Sequence, residues 1–211
     1  MCADAMPASE ARMQSLFQPA PRRSATARFL RSGFVALALL GTLAAPARAE
    51  APPPPLATIA ALDVPRYMGT WYEIAKYPNR FQRHCVGFTH AEYRLQDDGR
   101  VRVANRCRNA EGRVVEAIGA ARQLGAADSP RLEVRFAPAW LSFLPAVWGD
   151  YWVIDLDAGY RLAAVSEPRR EYLWILSRTP TVAPQALEAL RTRLAAQGFD
   201  LSRLEMTRQE D

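Results

Sequence analysis

The side chains of this 211-residue chain best suited to covalent or metal chemistry are two cysteines, Cys85 and Cys107, and two histidines, His84 and His90. Zinc binds thiolates and imidazoles, but these four residues lack finger-type spacing, and neighbouring strand positions point to opposite faces of a sheet. In an exported protein the two cysteines are an even pair, and a disulfide closing a loop of roughly 20 residues contributes about 3 kcal/mol. We therefore expect a Cys85–Cys107 disulfide, with a metal site as the alternative, and we assign no metal and no cofactor.

Catalytic arrangements are hard to build from the remaining residues. Asp155 and Asp157 are two positions apart, but Asp157 lies near a predicted turn, and Asp150 and Glu167 have no evident partner. The sequence contains no serine in a nucleophile elbow and no phosphate-binding glycine loop. A cysteine nucleophile would need a free thiol. We therefore expect a binding protein, with catalysis as the alternative.

The positive charge of the chain is concentrated at its N-terminus. Of the formal net charge of +5, most comes from residues 1–49, which hold six arginines and two acidic residues. The rest is close to neutral and lacks the concentrated basic surface that nucleic acids require. No nucleic-acid partner is expected.

Residues 1–49 have the pattern of a secretion signal. A positive region around Arg22 and Arg31 precedes the apolar run 34–40, and residues 47–49 form a small-x-small cleavage pattern. The run is too short for a convincing transmembrane span, although a retained N-terminal anchor is the alternative. Residues 50–61 contain four consecutive prolines, which favour an extended, solvated spacer. The folded domain is predicted to be 62–211.

Alternation with period two dominates the first two thirds of that domain. In residues 100–108 arginines occupy almost every even position, and residues 131–136 alternate charged and apolar side chains. Turn sequences rich in Asp, Gly and Asn, such as 97–99, 109–112 and 157–159, separate the strands. Consecutive antiparallel strands form a meander, and closing it into a barrel removes the exposed edges.

The pattern changes near the C-terminus. Residues 184–197 place Leu187, Leu190 and Leu194 at helical spacing, with Pro184 near the start and Gly198 just past the end. This pattern predicts an amphipathic helix that buries its leucines against the outside of the barrel.

Three motifs in order resemble those of the lipocalin family, specifically its bacterial branch, which is similar to apolipoprotein D. The first is the Gly-x-Trp of Gly69 and Trp71, the second is carried by Asp157 and Tyr160, and the third is Arg178. The resemblance extends over about 62–199. It departs from the family at the second motif, where Leu156 and Ala158 replace Thr and Tyr.

The resemblance implies an all-β fold, an eight-stranded antiparallel up-and-down barrel with the C-terminal α-helix packed outside. Trp71 would close one end of the barrel, with Arg178 across its ring in a cation–π contact. The implied function is storage or transport of a lipid, such as a fatty acid or lysophospholipid, or of a similar small apolar ligand. The alternatives are a barrel enzyme acting on a bound lipid and an envelope interaction or dimerisation module that uses residues 139–148.

Many bacterial relatives carry a cysteine after the signal sequence that is acylated at the outer membrane. Here Glu50 follows Ala49 and no cysteine follows the apolar run. We therefore expect a periplasmic protein released by signal cleavage, without a lipid anchor.

Strand alternation and the family's architecture select the same inward-facing set of candidate ligand contacts, with filling of a solid core as the alternative role for each. The set comprises Thr89, Ala91, Tyr93, Val101, Val103, Asn105, Ala117, Gly119, Ala121, Leu132, Val134, Phe136, Tyr151, Val153, Tyr172 and Trp174.

Residues 139–148 are too apolar for an ordinary surface loop and include Trp140, Phe143 and Trp148. One interpretation is a rim at the mouth of the barrel that contacts ligand, the surface of the outer membrane or a second subunit in a homodimer. The other is a loop folded down as core.

Overall fold

The computed structural model describes residues 54–209, and eight of its strands form a closed antiparallel barrel in which each strand pairs with the next. The predicted leader 1–49 and the start of the spacer lie outside the described residues. β1 closes the barrel because it pairs with both β8 and β2. The predicted architecture is therefore confirmed. The strands are β1 (Gly69–Lys76), β2 (Cys85–Leu95), β3 (Val101–Asn109), β4 (Val114–Gln123), β5 (Arg131–Arg135), β6 (Gly149–Leu156), β7 (Leu162–Ser166) and β8 (Leu173–Ser177).

The alternation of β3 shows why these sequences form half-buried strands. Val101, Val103 and Cys107 are buried on the inner face, whereas the arginines between them are partly exposed on the outer face. Arg106 forms salt bridges there with carboxylates of both neighbouring strands, Glu92 at 3.2 Å and Glu116 at 2.6 Å. The period-two pattern therefore separates a charged exterior from an apolar interior.

The up-and-down topology gives the barrel two different ends. The loops 77–84, 110–113, 136–148 and 167–172 lie at one end, which we call the mouth. The turns 96–100, 124–130 and 157–161 lie at the other, the closed end, together with the short helix α1 (Val64–Tyr67).

Arg178 and Trp71 meet at the closed end, as the resemblance implies. The indole of Trp71 is fully buried, and the guanidinium carbon of Arg178 lies 4.0 Å from its ring centroid. Gly69 has φ +97°, and a Cβ there would lie 3.2 Å from Arg178 Nη1, so glycine allows this close approach. Asp157 fixes the adjacent turn, since its carboxylate accepts from three backbone amides, among them that of Leu162 at 2.5 Å.

The C-terminal helix α2 (Pro184–Ala196) packs against the outer wall, as predicted. Leu190 and Leu194 are fully buried in an apolar cluster with Ile154 and Ile175. Arg193 also binds Asp155 of β6 through two hydrogen bonds of 2.7 and 2.9 Å. None of the helices among residues 54–209 has the length and apolar character needed to span a bilayer.

Two features were not predicted. A ninth strand, β9 (Glu205–Met206), pairs with the end of β1. The predicted spacer also contacts the barrel at two points: Leu56 is buried beside helix α2, and the amide of Ile59 donates to the carbonyl of Val153 at 3.1 Å.

The Cys85–Cys107 disulfide is confirmed. It links the start of β2 to the end of β3, next to the mouth. His84 lies close to both sulfur atoms and His90 is not part of this group. Because both sulfurs are consumed by the disulfide, they offer no thiolate for the alternative metal site.

We expect loss of this disulfide to lower the free energy of unfolding by about 3 kcal/mol, because it closes a loop in the unfolded chain. The measurement is urea denaturation of the wild type with and without reductant. The matched control is the double variant Cys85→Ser/Cys107→Ser. Its free energy of unfolding should equal that of the reduced wild type and should not change when reductant is added. Equal stability of oxidised and reduced wild type would contradict this expectation.

Candidate functional site

The interior of the barrel changes from closely packed to open along its axis. Towards the closed end, Val101, Leu132 and Val153 are buried in one apolar cluster with Trp71. At the mouth, the inward position Ala117 is exposed. The apolar upper part of the barrel, where inward positions become exposed, is the candidate binding chamber.

The structure places the predicted inward residues on the chamber side of the wall. Ten belong to the interior apolar cluster or pack against it: Ala91, Tyr93, Val101, Val103, Ala121, Leu132, Val134, Tyr151, Val153 and Trp174. The other six are placed on this inner side by strand register and ring contacts, and they lie nearer the mouth: Thr89, Asn105, Ala117, Gly119, Phe136 and Tyr172.

Gly119 and Phe136 form a close pair in this wall. A Cβ on Gly119 would lie 2.8 Å from the ring of Phe136 and 2.6 Å from the carbonyl oxygen of Arg135. The absence of a side chain at Gly119 thus lets the phenyl ring approach the backbone of β4. The ring remains 43% exposed, facing the mouth.

Three tyrosines occupy the chamber floor. The hydroxyl of Tyr151 lies 3.0 Å from that of Tyr67 and 3.1 Å from that of Tyr93. Burial raises the pKa of Tyr93 to about 12, and it also raises the pKa values of Tyr67 and Tyr151. All three are therefore neutral hydroxyls at physiological pH.

Glu73 is a wall residue that the sequence analysis missed. It is 3% exposed, and its carboxylate accepts hydrogen bonds of 2.5 Å from Gln82 Nε2 and from Thr207 Oγ1. Gln82 in turn accepts from the indole of Trp174 at 3.0 Å. Burial is the main reason why the pKa of Glu73 is raised above 4.5. Its position two residues after Trp71 on β1, which is the same face of the strand, is the signal that would have found it.

The segment after β9 fills a gap between β1 and β2. β2 pairs with β1 only as far as Tyr72, beyond which Gln209 Nε2 donates to the carbonyls of Glu73 and Thr89, both at 2.7 Å. The amide of Phe88 donates to the carbonyl of Arg208 at 2.6 Å. The chamber wall on this side is therefore made by the C-terminal segment.

Exposed apolar side chains surround the mouth. Trp140 and Phe143 are 72% and 73% exposed, and Phe81 of the first mouth loop is 55% exposed. We call these three residues with Leu144 the apolar rim. The alternative of a loop folded down as core does not describe Trp140 and Phe143.

Trp148 does not belong to this rim. Its ring lies under the guanidinium groups of Arg122 at 4.2 Å and Arg135 at 5.3 Å, both on the outer face of the wall. Its indole N–H donates to the carbonyl of Ser142 at 2.9 Å. Trp148 therefore anchors the loop instead of contacting the mouth, because the flanking arginines offer cation–π contacts on the outside.

A profile of the family described as "Lipocalin-like domain" matches residues 62–209. The chain belongs to the lipocalin family. Outer membrane lipoprotein Blc of Escherichia coli (strain K12) is 38% identical over 170 residues, which is 80% of this chain and 92% of that protein. Apolipoprotein D of Mus musculus is 29% identical over 154 residues, covering 70% of this chain and 77% of that protein.

A solved lipocalin structure supports the same fold. Insecticyanin from the tobacco hornworm Manduca sexta matches with a TM-score of 0.59 and 19% identity, over 76% of this chain and 87% of that one. The predicted resemblance is thus confirmed. Lipocalins bind small hydrophobic ligands.

The raised pKa of Glu73 predicts a specific pH dependence of stability. The unfolded chain loses this proton near pH 4.5, whereas the folded chain holds it to higher pH. The folded state then binds more protons, so this group lowers stability as pH rises from about 4.5 through the folded pKa. We expect Glu73→Gln to become progressively more stable relative to wild type over that window, as measured by urea denaturation at a series of pH values.

Glu92→Gln is the control for this measurement. Arg94 and Arg106 lower the pKa of the Glu92 carboxyl, so this carboxylate stabilises the fold at neutral pH and loses that effect as the pH falls. The two variants should therefore show pH trends of opposite sign. A difference between Glu73→Gln and wild type that does not change with pH would show that the fold does not raise the pKa of Glu73.

Proposed function

We propose that this lipocalin stores or transports a lipid, a fatty acid or lysophospholipid, in the barrel interior within the cell envelope. The observation that carries the proposal is the one-ended opening of the apolar wall. Inward residues are buried at the closed end, while Ala117 and Phe136 are exposed at the mouth. An apolar chain entering at the mouth would meet apolar walls over its length.

The energetic basis is transfer of methylene groups from water. Each buried CH₂ contributes about 0.8 kcal/mol before ordering costs, so several of them suffice for useful affinity without a charged partner in the wall. The predicted lining contains no charged residue. This composition favours long apolar ligands over small polar ones.

The envelope location rests on two independent arguments. The sequence predicts a cleaved leader over residues 1–49, and a relative with 38% identity is named an outer membrane lipoprotein. We propose the periplasm, without an acyl anchor, because no cysteine follows the apolar run of the leader.

Binding without catalysis fits the candidate site. Cys85 and Cys107 are joined, which removes them as nucleophiles, and the Glu73 carboxylate is occupied by Gln82 and Thr207. Asp155, considered above as a catalytic acid, is held by Arg193 on the outer wall. Turnover of a bound lipid by the purified protein would favour the enzyme alternative.

Lipid binding is tested by native mass spectrometry of the chain from Glu50, purified from the periplasm, and by titration with a fluorescent acyl probe. We expect a co-purifying mass that organic extraction releases as a fatty acid or lysophospholipid. Ala117→Trp should abolish probe binding because the indole would fill the mouth of the chamber.

The matched control is Ile118→Trp, whose side chain lies on the outer face of the same strand and is 44% exposed. It should bind the probe as the wild type does. A wild type that is empty and also rejects the probe would mean a filled barrel and would overturn the proposed function.

A second candidate function, docking of the mouth on a membrane, is favoured by the apolar rim. Aromatic side chains as exposed as Trp140 and Phe143 suit the interface of a bilayer. The exposed Arg80 and Arg83, which flank Phe81 in the first mouth loop, match anionic lipid head groups. Docking there would let a lipid move between bilayer and chamber without crossing water.

We expect the wild type to float with vesicles of phosphatidylethanolamine and phosphatidylglycerol, and Trp140→Ser/Phe143→Ser to lose most of that association. Ile118→Ser, which removes an exposed apolar side chain from the outer wall, serves as the control. Unchanged flotation of the double variant would rule out the apolar rim as the membrane-docking surface. Sedimentation of the same variants tests the homodimer alternative, in which only self-association would change.

A further inference from the structure

The hydroxyl groups on the chamber floor hold one more proton than they use among themselves. Tyr67, Tyr93 and Tyr151 each carry one O–H, and two hydrogen bonds join the three oxygens in a chain with Tyr151 in the middle. Within residues 54–209 none of these hydroxyls makes another hydrogen bond. One donor of the cluster therefore has no acceptor from the described protein, although buried donors are almost always paired.

Ring geometry makes Tyr151 the centre of this cluster. The rings of Tyr67 and Tyr93 are stacked, with centroids 5.9 Å apart and planes at 12°, and both hydroxyls lie within hydrogen-bond distance of that of Tyr151. The ring of Tyr151 meets that of Tyr93 edge-on at 86°. If both stacked tyrosines donate to the oxygen of Tyr151, every proton of the pair is used and the proton of Tyr151 is the free donor.

Burial distinguishes the three residues but not their hydroxyls. Tyr67 and Tyr93 are 2% and 7% exposed and Tyr151 is half-buried, whereas all three phenol groups are buried. Because burial raises the pKa values of all three phenols, each remains a hydroxyl and not a phenolate.

We propose that Tyr151 donates a hydrogen bond to an acceptor oxygen at the inner end of the ligand, such as a ketone, ester or carboxyl oxygen. Tyr67 and Tyr93 are positioning residues that hold the Tyr151 oxygen by donating to it. This assignment rests on the proposed lipid-binding function and makes it more specific, since a bare hydrocarbon end would leave the Tyr151 donor unpaired in an apolar chamber.

The test compares a linear methyl ketone with the linear alkene of the same number of heavy atoms, each displacing a fluorescent acyl probe. The wild type should bind the ketone about threefold to tenfold more tightly than the alkene, the effect of one neutral hydrogen bond.

Tyr151→Phe should reduce the preference for the ketone while still binding the alkene. Tyr72→Phe is the matched control: Tyr72 lies on the outer face of β1, and its hydroxyl makes no hydrogen bond within the described part of the chain. Tyr72→Phe should keep the wild-type ratio of ketone affinity to alkene affinity. Thermal unfolding of both variants establishes that each is folded. The comparison of ketone and alkene on the wild type tests the proposal even if a variant does not fold.

The outcomes separate this assignment from the function on which it rests. Equal binding of ketone and alkene by the wild type, or an unchanged ratio in Tyr151→Phe, overturns the role of Tyr151 and leaves lipid binding intact. If neither ligand nor the acyl probe binds the wild type, the proposed function fails and the assignment fails with it.

Discussion

The guanidinium group of Arg178 joins three separate parts of the chain at the closed end of the barrel. It covers the indole of Trp71 and donates to the carbonyl oxygens of Arg66, Thr70 and Tyr160 at 2.9, 3.0 and 3.2 Å. These are all neutral acceptors, so the planar donor set of arginine is used to tie backbone together and not to neutralise a carboxylate. Helix α1, the start of β1 and the turn between β6 and β7 are thereby fixed as a lid. Without that lid a barrel of eight strands would be open at both ends, and the difference between mouth and closed end would disappear.

The wall of the chamber depends on a contact of another kind, near the mouth. β1 loses its register with β8 between Glu73 and Ala75, and it has parted from β2 after Tyr72. The backbone groups left open there are satisfied by residues 205–209, which the chain supplies more than a hundred positions later. Glu73 lies at this junction, and its hydrogen bonds to Gln82 and Thr207 connect the first mouth loop, the wall and the C-terminus. A titratable group is thus part of the wall itself, and its burial is possible because neutral donors surround both oxygens.

The parts of the structure that follow local rules could be predicted from the sequence, and those that depend on distant contacts could not. The alternating arginines of β3 and the leucine spacing of α2 report which face is buried, because side-chain direction in strands and helices has a fixed period. Nothing local in Glu205–Met206 indicates a strand, since two residues show no alternation and their pairing is decided by the vacant edge of β1. Leu56 follows four prolines and is nevertheless buried by helix α2, which the chain reaches far downstream. Trp148 was assigned to the mouth from its apolar neighbours, but arginines on two other strands hold it outside.

The distribution of charge in the barrel constrains how an amphipathic ligand lies in it. Glu73 places a carboxyl group in the wall, and beneath the floor Arg178 already donates to three carbonyls. An anionic head group placed inside would therefore lose its hydration, with no cationic side chain in the interior apolar cluster of the described residues to replace it. At the mouth it would remain in water, near the exposed Arg80 and Arg83. The apolar chain then extends inward towards the tyrosine hydroxyls. A ligand in that orientation meets the proposed Tyr151 donor only if its chain carries a neutral oxygen near the inner end, because an unsubstituted acyl chain would leave that donor unpaired.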